Sequence, residues 1–250
     1  MRTSLVDLLY PPACLLCRRS TRLSRQDLDG EPHAPTRQEP FCQSCEEVLP
    51  VLLPPACQRC GVGLRGAYDA TLVCRHCQHA PLAFERACAP FVYEGLMREA
   101  IQAFKYQRHH RIGRWLADRM AVTADRQLPL ADITLIVPVP LHWVKRCLKG
   151  TNPAALLARA VSKLLQRPYA PAGLRRVRWT PTQTKLTRRQ RAQNVRDAFR
   201  ASRAHVQDHT VLLVDDVLTT GATANASAVA LQEAGARRVL VLTAACAPMP

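Results

Sequence analysis

Four Cys-x-x-Cys pairs crowd the first third of this chain: Cys14/Cys17, Cys42/Cys45, Cys57/Cys60 and Cys74/Cys77. No other feature restricts the fold so tightly. A Cys-x-x-Cys turn presents two thiolates about a metal's width apart, and two such turns complete a tetrahedral site. The residues around the pairs supply little core: Pro11, Pro12, Pro50, Pro54 and Pro55, several glycines, and a polar stretch from Ser24 to Pro40. A segment this poor in apolar surface needs a metal or disulfides to hold it folded. Residues Met1–Tyr10 lack the apolar length and small-residue cleavage site of a signal peptide. No run approaches the roughly 18 apolar residues of a spanning helix. The expected setting is therefore cytoplasmic, where disulfides fit poorly. A thioredoxin-like redox role would need one such pair beside a βαβ pattern, not four in series. The spacing predicts two structural zinc ions. Sequential pairing puts Cys14, Cys17, Cys42 and Cys45 on one ion and Cys57, Cys60, Cys74 and Cys77 on the other. A cross-braced arrangement would exchange the middle pairs, and spacing alone leaves both open. His76 and His79 read as bystanders beside a full set of eight cysteines. Cys88 and Cys246, in apolar strand-like surroundings, read as small core hydrophobes.

Charge is distributed as unevenly as cysteine. The formal +16 of the 250 residues is almost absent from residues 1–80, with nine Lys/Arg against eight Asp/Glu, and sits in residues 81–250, with 26 against 11. Two compositions in one chain predict two domains, a small double zinc ribbon over residues 1–82 and a larger unit over 83–250. With 48% apolar residues overall, the larger unit has enough to build a packed core.

Residues 83–250 read as alternating strands and helices, an α/β domain with a parallel sheet. Ala87–Tyr93 reads as the opening strand. A helix over Gly95–Gln107 carries Met97, Ile101 and Phe104 on one face, and Ile112, Trp115, Leu116 and Met120 mark a second. Asp132–Val137 reads as a buried strand stopped by Pro138 and Pro140. The basic loop Leu141–Gly150 follows, with Lys145, Arg146 and Lys149. Asn152 fits an N-cap and Pro153 a first helical turn, ahead of Leu157, Val161, Leu164 and Leu165 on one face. Val211–Val214 is an all-apolar, β-branched-rich run suited to a strand buried on both faces. Asp215 and Asp216 follow at once, then Thr219-Thr220-Gly221-Ala222-Thr223. Ala226, Val229 and Ala230 suggest the buried face of a helix that Gly235 closes, and Arg237–Thr243 reads as a last, edge-ward strand. Strand, paired acids, hydroxylated loop and helix N-terminus together form an anion site, because free amides and the helix dipole favour negative charge there.

The stretch from Val211 to Thr223 resembles the 5-phosphoribosyl 1-pyrophosphate signature of type I phosphoribosyltransferases. That resemblance implies that Asp215 and Asp216 hold the ribose hydroxyls and Thr219, Thr220, Gly221, Ala222 and Thr223 take the 5′-phosphate. Lys145, Arg146 and Lys149 become candidates for pyrophosphate, and Lys105 for closing over the site. Further motifs narrow the likeness. Val137-Pro-Val-Pro-Leu141, the basic loop, the Gly150-x-Asn152 step, the Tyr93-Glu-Gly95…Lys105 segment, Arg178-Trp-Thr-Pro-Thr-Gln183 with Asn194 and Phe199, and the cysteine series are together similar to the ComF family. Essentially the whole chain is covered. Where that family commonly shows Arg-Gly-Phe-Asn-Gln, this chain has Lys149-Gly150-Thr151-Asn152-Pro153.

The resemblance implies an enzyme that binds phosphoribosyl pyrophosphate with Mg²⁺ and transfers the phosphoribosyl group to an unidentified nitrogen acceptor, in a cell that takes up DNA. A rival expectation is a non-catalytic module that grips single-stranded DNA or scaffolds other competence proteins. Residues 175–203 carry ten Lys/Arg, including Arg175, Arg176 and Arg178, against the single acid Asp197. Such a run suits a lid over the site or contacts to a phosphate backbone. Aromatic residues are sparse there, only Trp179 and Phe199, so stacking of successive bases is not indicated.

Overall fold

The computed structural model describes residues 13–19, 39–64, 72–79, 82–107, 109–141, 151–178 and 197–248. Its centre is a parallel sheet built from β1 (Arg86–Cys88), β2 (Phe91–Val92), β3 (Leu135–Pro138), β6 (Thr210–Leu218) and β7 (Arg238–Cys246), in the order β1-β7-β6-β3 with β2 also on β7. A separate antiparallel pair, β4 (Leu174–Arg176) with β5 (Phe199–Ala201), stands beside it. Val211–Val214 is fully buried between β3 and β7, as an apolar run covered on both faces should be.

Three strand expectations need correction. The last strand is not edge-ward: β7 lies inside the sheet, between β6 and the β1/β2 pair, and runs on to Cys246. The opening strand is broken at Ala89-Pro90, where proline has no N–H to give the ladder. The third starts at Leu135 rather than Asp132, because Leu130–Asp132 first winds one 3₁₀ turn.

The helices are α1 (Gln43–Glu47), α2 (Arg75–His79), α3 (Gly95–Gln107), α4 (His110–Gln127), α5 (Pro153–Leu164), α6 (Arg203–Val206) and α7 (Ala222–Glu233). Met97, Ile101 and Phe104 of α3 and Ile112, Trp115, Leu116 and Met120 of α4 are buried together on one sheet face. Asn152 caps α5 as its chemistry suggests: its side-chain oxygen accepts the Ala154 N–H at 3.1 Å, and its amide donates to the Val139 carbonyl at 2.9 Å. On α5, Leu157 and Val161 are buried but Leu164 turns to solvent. On α7 the buried face is Ala224, Ser227, Ala228, Ala230 and Leu231, and Val229 points outward. Small residues surround this helix on all sides, so apolar periodicity could not fix its phase.

The cysteine-rich segment wraps the β1/β2 edge. Leu52 N–H donates to Pro90 O at 2.9 Å, Val92 N–H to Pro50 O at 2.8 Å, and Ala87 N–H to Arg59 O at 2.7 Å, which occupies backbone groups that an open edge would leave unpaired. Gly61 makes the contact possible: its φ is +70°, and a Cβ there would lie 2.4 Å from the Ala87 carbonyl oxygen. Beyond the edge the segment divides. Cys14, Phe41, Cys45 and Leu49 join the core on the α3/α4 face, where Phe41 meets Trp115 edge-on at 5.1 Å and Glu46 pairs with Arg119. Cys57, Val62, Leu64, Cys74 and Cys77 join the core on the α7 face. Among the described residues, no helix is long and apolar enough to cross a membrane.

Candidate functional site

β6 does not stop at its apolar run but carries both acids on its carboxyl end, so Asp215 and Asp216 are held by strand geometry rather than by a loop. Alternation sends the two side chains to opposite faces. Asp216 meets Lys105 from the last turn of α3, with Nζ and Oδ1 2.8 Å apart and both side chains about a fifth exposed, at 22% and 18%. Burial works against the Lys105 charge, but the Asp216 carboxylate outweighs it and the ammonium pKa ends above its ordinary value. Asp215 accepts the Asp216 backbone N–H at 2.8 Å. Burial, then the neighbouring Asp216 charge, push the Asp215 carboxyl up to about 8, against smaller opposing pulls from Lys105 and Arg176.

Arg176 is the residue the sequence concealed. In sequence it was one member of a basic run suited to a lid or to phosphate contacts; β4 brings its guanidinium over the Phe199 ring at 5.4 Å and into the field of Asp215. Burial lowers its pKa, and Asp215 pulls the other way. The β4–β5 pairing that places it joins segments more than twenty residues apart, and no local pattern announces such a pairing.

Beyond Leu218 the chain turns through Thr219 and Thr220 to Gly221, which caps α7 in the left-handed conformation, φ +75°, with open space where a Cβ would sit. The Ala222 N–H reaches Thr220 Oγ1 at 3.4 Å, and Thr219, Thr220 and Thr223 all keep solvent contact. The structure thus brings Lys105, Asp215, Asp216 and the 219–223 loop to the carboxyl end of the sheet, where open α/β sheets hold ligands. Lys145, Arg146 and Lys149 lie outside the described residues. From their flanks, Pro138, Pro140, Leu141 and Asn152 line a cavity of about 380 Å³ together with Arg175 and Arg176.

The cysteines resolve the pairing question. The Sγ atoms of Cys14, Cys17, Cys42 and Cys45 gather within 4.8 Å of one another, and so do those of Cys57, Cys60, Cys74 and Cys77. The sequential arrangement holds and the cross-braced one does not. Between pairs, Cys17 and Cys42 sulfurs stand 3.6 Å apart and Cys60 and Cys74 sulfurs 3.7 Å. Zinc–sulfur bonds of about 2.3 Å imply a tetrahedral edge of roughly 3.8 Å. Without a cation the thiols of a set cannot all ionise. A hydrogen bond from the Arg19 backbone leads in lowering Cys17 to about 6, whereas burial pushes Cys45 up to about 12. Cys60 helps hold Cys57 at about 4, while burial lifts Cys77 to about 12. Four clustered thiolates need a divalent ion, and both sets fit structural zinc.

Residues 5–78 match the double zinc ribbon domain family. Competence protein F of Haemophilus influenzae is 30% identical over 236 residues, covering 91% of this chain and 94% of its own length. DNA utilization protein YhgH of Escherichia coli is 30% identical over 192 residues, covering 74% of this chain and 81% of its own. Among solved structures, glutamine phosphoribosylpyrophosphate amidotransferase from B. subtilis, complexed with ADP and GMP, aligns with 52% of this chain and 25% of its own at 24% identity and a TM-score of 0.35.

Proposed function

The chain belongs to the ComF family of competence proteins, and from that premise we propose that the carboxyl end of its sheet binds 5-phosphoribosyl 1-pyrophosphate and transfers the phosphoribosyl group to a nitrogen acceptor. One observation carries this reading: two acids on the end of a buried strand, continuous with a Thr/Gly loop that opens a helix, with Lys105 drawn onto Asp216 from a neighbouring helix. Asp215 and Asp216 would accept hydrogen bonds from the ribose hydroxyls. Thr219–Thr223 would give hydroxyl and amide donors to the 5′-phosphate, aided by the α7 dipole. Arg175 and Arg176, with Lys145, Arg146 and Lys149, would hold the pyrophosphate. In the step itself the bond from the anomeric carbon to pyrophosphate breaks, its electron pair leaves with the pyrophosphate, and the acceptor nitrogen bonds to that carbon and then loses its proton. The transition state places positive charge on the ribose ring, so this chain's contribution is positioning and stabilisation of the leaving anion.

Among the described residues the side chains grouped to hold a metal ion are the two cysteine sets. Mg²⁺ bound with the ligand would supply neutralisation of its phosphate charge. We place the protein in the cytoplasm and divide the chain at residues 82/83. The test is calorimetric titration of phosphoribosyl pyrophosphate with Mg²⁺ into the zinc-loaded protein. We expect saturable binding that Asp215→Ala and Asp216→Ala each weaken at least tenfold; no heat of binding in the unsubstituted protein defeats the reading.

A second reading is favoured by the charge of residues 81–250 and by the DNA utilization name of the relative: the basic face holds single-stranded DNA, with or without transfer chemistry. Salt-dependent retention of an oligonucleotide that survives Asp215→Ala and Asp216→Ala would separate it from the first.

A further inference from the structure

One residue between the second cysteine set and the sheet is held from both sides. Ala83 lies in the short link to β1, and two side chains of α7 take up both of its backbone groups. Its N–H donates to Asn225 Oδ1 at 2.7 Å, and its carbonyl accepts from Gln232 Nε2 at 2.7 Å. Asn225 and Gln232 stand seven residues apart, which puts them on one face of the helix, two turns from each other. Their backbone partners fix how the two carboxamides are turned, since an N–H needs an acceptor and a C=O a donor.

The same link is gripped from the ribbon. Arg59 sits in the turn between Cys57 and Cys60. Its guanidinium donates to the Leu82 carbonyl at 3.4 Å, and its own carbonyl accepts the Ala87 N–H at 2.7 Å. Phe84, between those two points, is buried in the core that the second cysteine set shares with α7. A continuous chain of contacts thus runs from the second cysteine set through Leu82 and Ala83 to Asn225. Asn225 carries it to the phosphate loop: its backbone N–H donates to the Gly221 carbonyl at 2.8 Å and closes the first turn of α7 on the residue that caps it.

Nothing local to α7 calls for an asparagine at this position. Asn is a weak helix former, because its side chain competes for nearby backbone groups, and this helix is otherwise rich in alanine. The tether to Ala83 supplies a reason, since a partly buried N–H left without an acceptor is costly. It also supplies what the packing lacks. Ala224, Ser227 and Ala228, on the opening half of the buried face, form low ridges that resist sliding poorly. A loop that presents amides and hydroxyls to a phosphate must be held to within roughly 0.5 Å of its working geometry.

We infer that Asn225 is a positioning residue for the phosphate loop: it ties the opening turn of α7 to the link that the second ribbon holds, and so makes the grip of Thr219–Thr223 on a phosphate depend on that ribbon. Asn225 acts through the helix, one turn behind the loop. The identity of the phosphate ligand rests on the phosphoribosyl reading; the tether does not.

The test compares Asn225→Leu, which keeps the bulk and removes the acceptor, with Gln232→Met, which cuts the other bond to Ala83 two turns further from the loop. Hydrogen exchange in the ligand-free, zinc-loaded chain gives the first reading. Protection of the amide at position 225 should fall at least fivefold in Asn225→Leu. It should stay within twofold in Gln232→Met and in Asn225→Asp, whose carboxylate accepts the same N–H. Calorimetry with phosphoribosyl pyrophosphate and Mg²⁺ gives the second: affinity should fall at least fivefold in Asn225→Leu and less than twofold in Gln232→Met. Arg59→Met, which cuts the tether on the ribbon side without touching α7, should weaken both readings, and should add less than twofold to Asn225→Leu in the double variant. Unchanged protection or unchanged affinity in Asn225→Leu overturns the inference. So does an effect of Gln232→Met as large as that of Asn225→Leu, or a double variant whose two effects multiply. If the unsubstituted chain binds no phosphoribosyl pyrophosphate, the phosphoribosyl reading falls and the protection values alone decide the tether.

Discussion

Asp215 concentrates the chemistry of the site in one proton. Burial and the neighbouring Asp216 charge hold its carboxyl well above the ordinary carboxylate range, at about 8. An acid whose folded pKa exceeds its unfolded value stabilises the fold most at low pH and loses that contribution as pH rises from about 4 through about 8. An ionised carboxylate accepts ribose hydroxyls more strongly than a neutral acid does, so affinity for phosphoribosyl pyrophosphate should move the other way, rising between pH 6 and 8 and levelling above. Asp215→Asn should flatten both profiles and, near pH 8, stabilise the ligand-free chain by about 1–3 kcal/mol, measured by urea unfolding. Lys105→Met makes a different prediction. It strands the Asp216 carboxylate in a partly buried position and should cost about 1–3 kcal/mol, discounted for the exposure of the pair, with Asp216→Asn restoring part of the loss in the double variant. The acids, the Thr/Gly loop and the cysteines were legible because their chemistry is written in adjacent residues. Arg176 was not, because its role comes from a strand pairing across the segment that separates β4 from β5.

At the scale of elements, the legible features were those with strong local signals. Asn152-Pro153 announced the start of α5, and Met97, Ile101 and Phe104 announced the buried side of α3. The phase of α7 was lost among alanines, and the place of β7 in the sheet was lost because strand order is a tertiary fact that a buried apolar run does not encode. The seam between ribbon and sheet was equally invisible, yet it hangs on one glycine. Gly61→Ala requires a left-handed alanine and drives a methyl into the Ala87 carbonyl, so it should destabilise the protein by about 2 kcal/mol or more. Gly63→Ala, two residues on, meets nothing within 4 Å and has no positive φ, and should be near neutral. Urea denaturation of the two variants checks the pair; equal midpoints would mean that the ribbon does not dock on β1 through Gly61.

The whole molecule is organised as a sheet gripped at one edge. The first cysteine set shares a core with α3 and α4, the second shares a core with β6 and α7, and the strip between them covers β1 and β2. Composition divides the chain near residue 82, but packing joins what composition divides, because each ribbon is too small to bury itself and the sheet edge needs a cover. Zinc should therefore stabilise more than the ribbons. The zinc-loaded protein is expected to melt in one transition, and chelation under reducing conditions should lower its midpoint and uncover the β1/β2 edge to exchange of the Ala87 and Val92 amides. The two sets should not be equivalent. Cys57→Ser loosens the ribbon that faces Thr219–Gly221, whereas Cys14→Ser loosens the one that rests on Trp115, on the opposite face of the sheet. Calorimetry with phosphoribosyl pyrophosphate should accordingly show weaker binding in Cys57→Ser than in Cys14→Ser, with both below the unsubstituted chain. If residues 83–250 instead fold alone, the chelated protein will keep a separate transition and full affinity, and the ribbons will be passengers on the sheet rather than its clamp.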